Sequence, residues 1–307
     1  PTGVPSAELM HARALRGKEA SAAGSDGFAP AELKTLPLLA WEERRLLVQL
    51  MAKLGRYPRS YYTVYTPSIP KKGRGNKPLD HRLLAIFSAL YRIESGAWFD
   101  HLMPWMRRVL HPNVVGAVKN MEAYDVAWEA QSFLEHAMAH GLDVGLAAYD
   151  YEKYFDSFDY EWTRQMMLHI GAPAHLVNLT HHLYSNMQRV MKRGKTLSRP
   201  FHAHNGYGQG DVLSLLPALL LVSWQFKVID ITHPNVQKGA YVDDRNYCGT
   251  LNDLLEVDKI VHDFDHLAMH CTLDSKTEFL MTSDSDKWRL PTNQIKRHVR
   301  NSTHSNT

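Results

Sequence analysis

Cysteine is scarce in this chain, which has 307 residues and two thiols, Cys248 and Cys271. Two cysteines exclude a disulfide framework and a four-cysteine zinc site, and they are compatible with a reducing compartment. We therefore expect an intracellular protein whose two thiols lie in or near the core.

Long apolar runs are also missing. The longest one, from Leu213 to Trp224, is interrupted by two serines and a proline. It is too short to span a bilayer, which takes about 20 residues, so it predicts a core helix. The first 24 residues contain no apolar stretch of the length that a signal peptide needs. No membrane partner is expected from this composition.

The chain has no strong excess of either charge. Its 35 basic and 32 acidic side chains give a net charge of +3 at pH 7, which does not by itself require a polyanionic partner. The basic side chains are nevertheless clustered, at Lys71, Lys72, Arg74 and Lys77, at Arg189, Lys192, Arg193 and Lys195, and at Lys296, Arg297 and Arg300. Each cluster fits a phosphate backbone as well as it fits a solvated loop.

Apolar residues make up 44% of the chain, enough for a large core and for two subdomains. Residues 1–23 are small and polar without a clear period, and they predict a flexible leader.

Apolar spacings of three and four predict helices over 30–54, 83–110 (broken near Gly96 and Pro104), 124–139, 160–169, 174–187, 211–226 and 253–270. Strands are predicted at 61–66, 145–149, 189–191, 199–203 and 278–281, with a hairpin over 238–247. Hairpins rather than regular crossovers favour an α+β fold, in which a sheet is backed by helices.

Carboxylates occur at the ends of two predicted strands. Asp243 and Asp244 follow Tyr241 and Val242 in the predicted hairpin, and Asp150 follows the predicted strand 145–149. Adjacent side chains on a strand point to opposite faces, so a pair of aspartates at a tight turn can direct at least one into a site. A phosphoryl-transfer site with two metal ions needs oxygen ligands from at least two segments. Taken alone, the pair fits a solvated turn better than an active site.

Several blocks of residues, in a fixed order, resemble the reverse transcriptase family. They are Asp150-Tyr151-Glu152-Lys153-Tyr154-Phe155-Asp156, Gly206-Tyr207-Gly208-Gln209-Gly210 with Ser214, Tyr241-Val242-Asp243-Asp244, and Leu273-Asp274-Ser275-Lys276-Thr277-Glu278. Upstream, three further blocks are similar to the fingers of non-LTR retrotransposon and group II intron enzymes, at residues 24–28, 69–72 and 81–92. The match runs from about residue 24 to 282.

The resemblance implies an RNA-directed DNA polymerase with the right-hand architecture of fingers and palm. Residues 24–143 would be the fingers-like region and 144–290 the palm, with fingers elements interleaved between 160 and 200. Residues 291–307 are a polar, basic tail, and no thumb is visible after Met281. The implied partners are an RNA template, a DNA or RNA primer and dNTPs, and a eukaryotic retroelement would place the protein in the nucleus.

The resemblance also implies which residues are catalytic. Asp150 and Asp243 would hold two Mg²⁺ or Mn²⁺ ions, with Asp244 either a third metal ligand or a structural hydrogen-bonding group. Lys276 would protonate the leaving pyrophosphate or contact a phosphate.

Other matched residues would bind the nucleotide. Phe155 would be the steric gate that excludes a ribose 2′-hydroxyl, although a core aromatic is the alternative, and Asp156 would fix the turn. Lys71, Lys72 and Arg82 would grip the triphosphate, and Gln209 and Gly210 would lie against the nascent pair. Gly208 and Tyr241 would contact the primer and template. The chain departs from the family after Ser214, where Leu215 and Leu216 precede the expected proline.

Two alternatives stay open. The first is an RNA-directed RNA polymerase, in which a polar group near the position of Phe155 engages the ribose 2′-hydroxyl, as Asp156 could do here. The second is a decayed or domesticated palm, which would bind nucleic acid without turnover. Histidines recur at a spacing of four, at His136 and His140 and at His262, His266 and His270. Such a spacing suits zinc, but no further ligand accompanies either set, so polar helix faces are the favoured interpretation.

Overall fold

The computed structural model of the chain describes residues 3–71, 81–118, 120–272 and 277–282. The predicted site residues Lys72 and Lys276 lie outside these ranges. The chain divides into two compact units: unit 1 consists of residues 1–108 and 155–217, and unit 2 of residues 109–154 and 218–307. Each unit is therefore assembled from two separate stretches of chain.

The first helix of unit 1 lies where a flexible leader was predicted. Helix α1, Ala7–Arg16, begins at Ser6, whose side chain accepts a hydrogen bond from the Leu9 amide at 3.3 Å. Ala7, Met10 and Ala14 form its buried face. The spacing of three and four that these residues show is typical of a packed helix, and it was overlooked because the intervening residues are small and polar.

Two other predicted helices of unit 1 differ from those observed. The helix predicted over 30–54 is divided at Pro37 into α2 (Pro30–Lys34) and α3 (Leu38–Leu54). The predicted break near Gly96 and Pro104 is wrong, because α4 runs from Ala89 to Val109 without interruption. A Cβ at Gly96 would lie 3.2 Å from the Arg13 side chain, so glycine serves close packing at this position.

Unit 1 contains a sheet in the order β2-β1-β4-β5, with β6 also paired to β4. Its strands are β1 (Thr63–Pro70), β2 (His81–Leu83), β4 (Gln188–Arg193), β5 (Thr196–Leu197) and β6 (Phe201–His202). β1 and β4 are parallel, and the other pairs are antiparallel. Three further helices complete the unit, α6 (Tyr154–Ser157, which begins at the boundary), α7 (Tyr160–His169) and α8 (Ala174–Asn186).

Unit 2 is built on a four-stranded antiparallel sheet in the order β7-β8-β3-β9. The strands are β3 (Gly145–Tyr149), β7 (Gln237–Tyr241), β8 (Asp244–Gly249) and β9 (Glu278–Met281). Helix α5 (Ala123–Ala139) packs against β7 and β8, and α10 (Leu251–Leu267) packs against β3 and β8. The Tyr149 hydroxyl donates to Asp258 of α10 at 2.7 Å, which ties the helix to the central strand.

Helix α9 (Leu215–Thr232) follows a short 3₁₀ helix and continues beyond the predicted end at residue 226. By length and composition, residues 212–232 could cross a membrane, but 72% of the most apolar 18-residue window is buried inside the protein. The helix is thus packed as the core helix that the sequence predicts.

Candidate functional site

The paired aspartates lie at the tip of the β7–β8 hairpin. Tyr241 and Asp244 are the last paired residues of the two strands, so Val242 and Asp243 form a two-residue turn. Val242 has φ of +61°, a left-handed conformation that glycine adopts freely and a β-branched residue rarely does. The turn is therefore strained at the residue before Asp243.

Asp150 lies at the same end of the sheet as this turn. β3 and β8 are antiparallel neighbours, and their last pair is Tyr149 with Arg245. Asp150 follows this pair in β3 and Asp244 precedes it in β8, so the two carboxylates lie at the same end of adjacent strands. The roles of the aspartates stay predictions.

A cavity of about 340 Å³ opens beside these residues within unit 2. Asp150, Tyr241 and Asp244 line it together with small residues of α5 such as Ala123 and Ala127. Asp243 is not among the described residues that line it. The cavity thus brings together two of the three predicted aspartates and the predicted primer contact, Tyr241.

The carboxylates fit a Mg²⁺ ion better than a cation that needs many protein ligands. Among residues 3–71, 81–118, 120–272 and 277–282, no group of three or more His, Cys, Asp or Glu side chains could hold a metal. Mg²⁺ usually keeps several waters and takes one or two carboxylates together with substrate phosphates. Asp150 and Asp244 in one cavity meet that requirement. His136, His140, His262 and His266 are exposed, as polar helix faces would be, but His270 is buried and lies beyond the end of α10, so the interpretation is wrong for this residue.

Arg245, directly after the aspartates, was missed by the sequence reasoning. Its guanidinium is buried, lies 4.4 Å from the ring centroid of Tyr151, and donates to the Tyr154 hydroxyl at 2.9 Å and to Gln225 Oε1 at 3.1 Å. Asp265 lies 3.5 Å away. Burial raises the pKa of Tyr154 to about 12, so the phenol is neutral at pH 7. A pattern in the sequence does indicate this burial. Arg245 and Tyr247 lie two residues apart on β8, so their side chains point to the same, buried face of the sheet.

In unit 1, a glycine-rich loop lies against the segment that contains Phe155. The Gly206 amide donates to Phe158 O at 2.8 Å, and the Tyr207 amide donates to Phe155 O at 2.7 Å. Gly206 has φ of +85°, and a Cβ there would lie 2.5 Å from Asp156 O. Only glycine fits this position.

This loop places Gln209 beside the predicted steric gate. Gln209 Nε2 donates to Asp156 Oδ2 at 3.4 Å, and Gln209 O accepts from the Ala85 amide at 2.8 Å. Phe155 is half-buried rather than a core residue. Gly208 is buried, and a Cβ there would lie 2.7 Å from Ala85 Cβ. Gly210, the next predicted residue, is exposed with φ of +118°.

The loop ends at a buried carboxylate that the sequence reasoning also missed. Asp211 Oδ2 accepts from the hydroxyls of Tyr91 at 2.8 Å and Tyr184 at 2.7 Å, and Oδ1 accepts from the Leu213 amide at 3.1 Å. Burial raises the pKa of Asp211, and the two tyrosine hydroxyls oppose this shift. Tyr91 and Tyr184 are far away in sequence, so no local pattern indicates this cluster.

Two predicted triphosphate ligands lie on the β1–β2 pair. Arg82 of β2 is exposed and lies opposite Ile69 of β1 in the strand register. Lys71 follows the end of β1 and is half-exposed. The pairing of the two strands therefore brings both basic residues to the same region of unit 1.

No protein-family model matches the chain. One sequence relative is the "Transposon TX1 uncharacterized 149 kDa protein" of Xenopus laevis, which is 23% identical over 209 residues. These residues are 65% of this chain and 16% of that protein.

Two solved structures share the fold. An apo telomerase from Candida tropicalis, truncated from its C-terminal domain, has a TM-score of 0.52 and 12% identity, over 71% of this chain and 51% of that one. A Candida tropicalis telomerase in complex with a TWJ fragment of telomeric RNA has a TM-score of 0.55 and 12% identity, over 81% of this chain and 46% of that one. The chain thus spans about half the length of these telomerases. The relative and the shared fold confirm the predicted resemblance to reverse transcriptases.

Proposed function

Because the chain resembles reverse transcriptases and shares its fold with two telomerases, we propose that it synthesises DNA on an RNA template. The reaction is template-directed nucleotidyl transfer, and the source is a retroelement of the non-LTR type. The observation that carries this proposal is the register of β3 and β8, which places Asp150 and the Asp243–Asp244 turn at the same end of one sheet. Unit 2 would be the palm, and unit 1 would supply the fingers.

Asp150, Asp243 and Asp244 would hold Mg²⁺ or Mn²⁺, two ions in all. When bound, such ions lower the pKa of the primer 3′-hydroxyl and neutralise the charge of the triphosphate. The carboxylates contribute negative charge from two adjacent strands, and the Val242 turn fixes the direction of the pair. Asp244, which lines the cavity with Asp150, would be a ligand as important as Asp243.

The residues of unit 1 would select and orient the nucleotide. Phe155 would exclude a ribose 2′-hydroxyl, and Gln209, held by Asp156, would contact the nascent pair. Lys71 and Arg82 would bind the triphosphate by charge and by hydrogen bonds. Tyr241 and Gly208 would contact the primer and template.

Primer extension on an RNA template tests the proposal. The full chain should incorporate dNTPs with Mg²⁺, and Asp150→Asn and Asp243→Asn should each lower the rate by at least about 10³-fold, because charge stabilisation supplies most of the catalysis. Lys259→Ala is the control, since Lys259 pairs with Glu256 on the exposed face of α10. It should keep the wild-type rate.

Two results would contradict the proposal. Equal incorporation of rNTPs and dNTPs would indicate an RNA polymerase. RNA binding without any synthesis, with every combination of primer and cation, would indicate a domesticated binding module.

A further inference from the structure

A short segment before α5 pairs with the outer edge of β7. The Val115 amide donates to Ala240 O at 2.9 Å, and the Ala240 amide donates to Asn113 O at 2.9 Å. β7 is the edge strand of its sheet. Residues 113–115 therefore cover that edge directly beside the hairpin tip.

Gly116 continues this segment into direct contact with the strained turn. A Cβ on Gly116 would lie 2.5 Å from Val242 N and 2.6 Å from Val242 Cγ2. The φ of Gly116 lies outside the left-handed region, so an alanine is excluded here by space and not by backbone conformation. The residue next to it, Ala117, has φ of +58° and is strained like Val242.

The start of the segment is fixed by polar groups, of which His111 and Lys238 are buried. The Asn113 amide donates to His111 Nδ1 at 3.1 Å, so Nε2 carries the proton and donates to Asp230 at 2.8 Å. Asp230 also pairs with the buried Lys238 at 2.5 Å, and Asn113 Nδ2 donates to Lys238 O at 2.8 Å. The segment is thus rigid on the side from which it approaches the turn.

We infer that Gly116 is a positioning residue, which holds Val242 in its left-handed conformation and so fixes the aspartates that follow. Strained conformations persist only where their surroundings over-determine them, and at Gly116 the space of a side chain is filled by the backbone and the side chain of Val242. The inference rests on the proposed function, because it assigns the position of the turn to nucleotidyl transfer.

The test compares Gly116→Ala, Val242→Gly and the double variant by primer extension. Gly116→Ala should lower kcat by about 10²-fold, the usual effect of a displacement of about 1 Å, while KM for dNTP stays within about twofold. Val242→Gly removes Cγ2, one of the atoms that the new Cβ would meet, and glycine adopts the left-handed conformation of the turn without strain. The double variant should therefore recover most of the kcat that Gly116→Ala loses.

Gly239→Ala is the matched control. Gly239 lies in β7, and a Cβ there would lie 2.8 Å from Val126 Cγ1 of α5. This substitution therefore disturbs the contact of β7 with α5 rather than the turn. It should lower the melting temperature without a selective loss of kcat. Equal kcat losses in Gly116→Ala and Gly239→Ala, or no recovery in the double variant, would overturn the inference.

Hydrogen exchange separates this inference from the proposed function. In Gly116→Ala the Val115 amide should exchange at least about tenfold faster than in the wild type, whether or not the chain polymerises. If the wild type is inactive but this change occurs, the proposed function fails while the contact stands. If the exchange rate is unchanged, the positioning role is wrong.

Discussion

Arg245 puts a permanent positive charge into the core of unit 2, one residue beyond the paired aspartates. The arginine is supported by Tyr154, Gln225 and Asp265, and the ring of His270 packs against Tyr154 at a tilt of 46°, with centroids 4.3 Å apart. Burial, and secondarily the charge of Arg245, lower the pKa of His270 to about 3. His270 is therefore neutral in the folded chain at every pH at which the protein would work.

This burial predicts a loss of stability on acidification. Unfolded His270 would titrate near pH 6.5, so between pH 6.5 and 3 the unfolded chain binds a proton that the folded chain does not. Stability then falls as the pH is lowered, and His270 contributes about 2 kcal/mol of the loss between pH 7 and 5. Urea unfolding at the two pH values measures it.

His270→Phe keeps an aromatic ring against Tyr154 and removes the titratable imidazole. In this variant the loss between pH 7 and 5 should be smaller than in the wild type by about 2 kcal/mol. An unchanged difference would mean that His270 is protonated in the folded chain.

At the scale of elements, the Gly206–Gly210 loop depends on the buried Asp211 at its end. Replacement of Asp211 by alanine would leave the hydroxyls of Tyr91 and Tyr184 buried without their acceptor. We expect a loss of about 3 kcal/mol in the free energy of unfolding. Chemical denaturation measures this loss.

Tyr91→Phe is the matched variant, because Asp211 then keeps Tyr184 and the Leu213 amide as donors. It should cost about 1 kcal/mol. Equal losses in Asp211→Ala and Tyr91→Phe would show that the carboxylate does not organise the cluster.

Elements whose ends are set by neighbouring residues could be predicted from the sequence. α7 was predicted over 160–169 and β9 over 278–281, and both bounds agree with the structure. The Asp159 side chain caps α7 by accepting from the Trp162 amide at 2.7 Å, which is a local interaction. The uninterrupted α4 could not be predicted, since its packing against α1 involves Arg13 and Asp100, far apart in sequence.

In the candidate site too, features set by local sequence can be predicted, and features set by contacts distant in sequence cannot. Asp150, Asp243 and Gln209 belong to local blocks that resemble those of reverse transcriptases, so the sequence indicates them as candidates. The contacts of Gly116 with Val242 and of Asp211 with Tyr91 join residues at least 120 positions apart, and no pattern near them reveals this. The local blocks therefore indicate the candidate reacting groups, whereas the residues that position them are found only in the folded chain.

At the scale of the whole molecule, charge is distributed in clusters although the net charge is only +3. Lys192, Arg193 and Lys195 are exposed at the β4–β5 hairpin of unit 1. If they contact RNA phosphates, alanine at all three positions should reduce the slope of log affinity against log salt by about 2, at about 0.7 per contact. Titration of a labelled single-stranded RNA at several salt concentrations measures this slope.

Lys259→Ala, which removes a charge from the exposed face of α10 in unit 2, is the control and should leave the slope unchanged. A triple variant with the wild-type slope would exclude the hairpin from the RNA interface.

The assembly of each unit from two stretches of chain has a consequence for biosynthesis. The parallel pair of β1 and β4 joins residues 63–67 to residues 188–192. During synthesis, the edge of β1 that pairs with β4 therefore stays unpaired until the ribosome has released β4. Contacts so distant in sequence slow folding and leave strand edges open meanwhile. A nascent chain that stops before residue 188 would therefore present β1 to chaperones or to other chains.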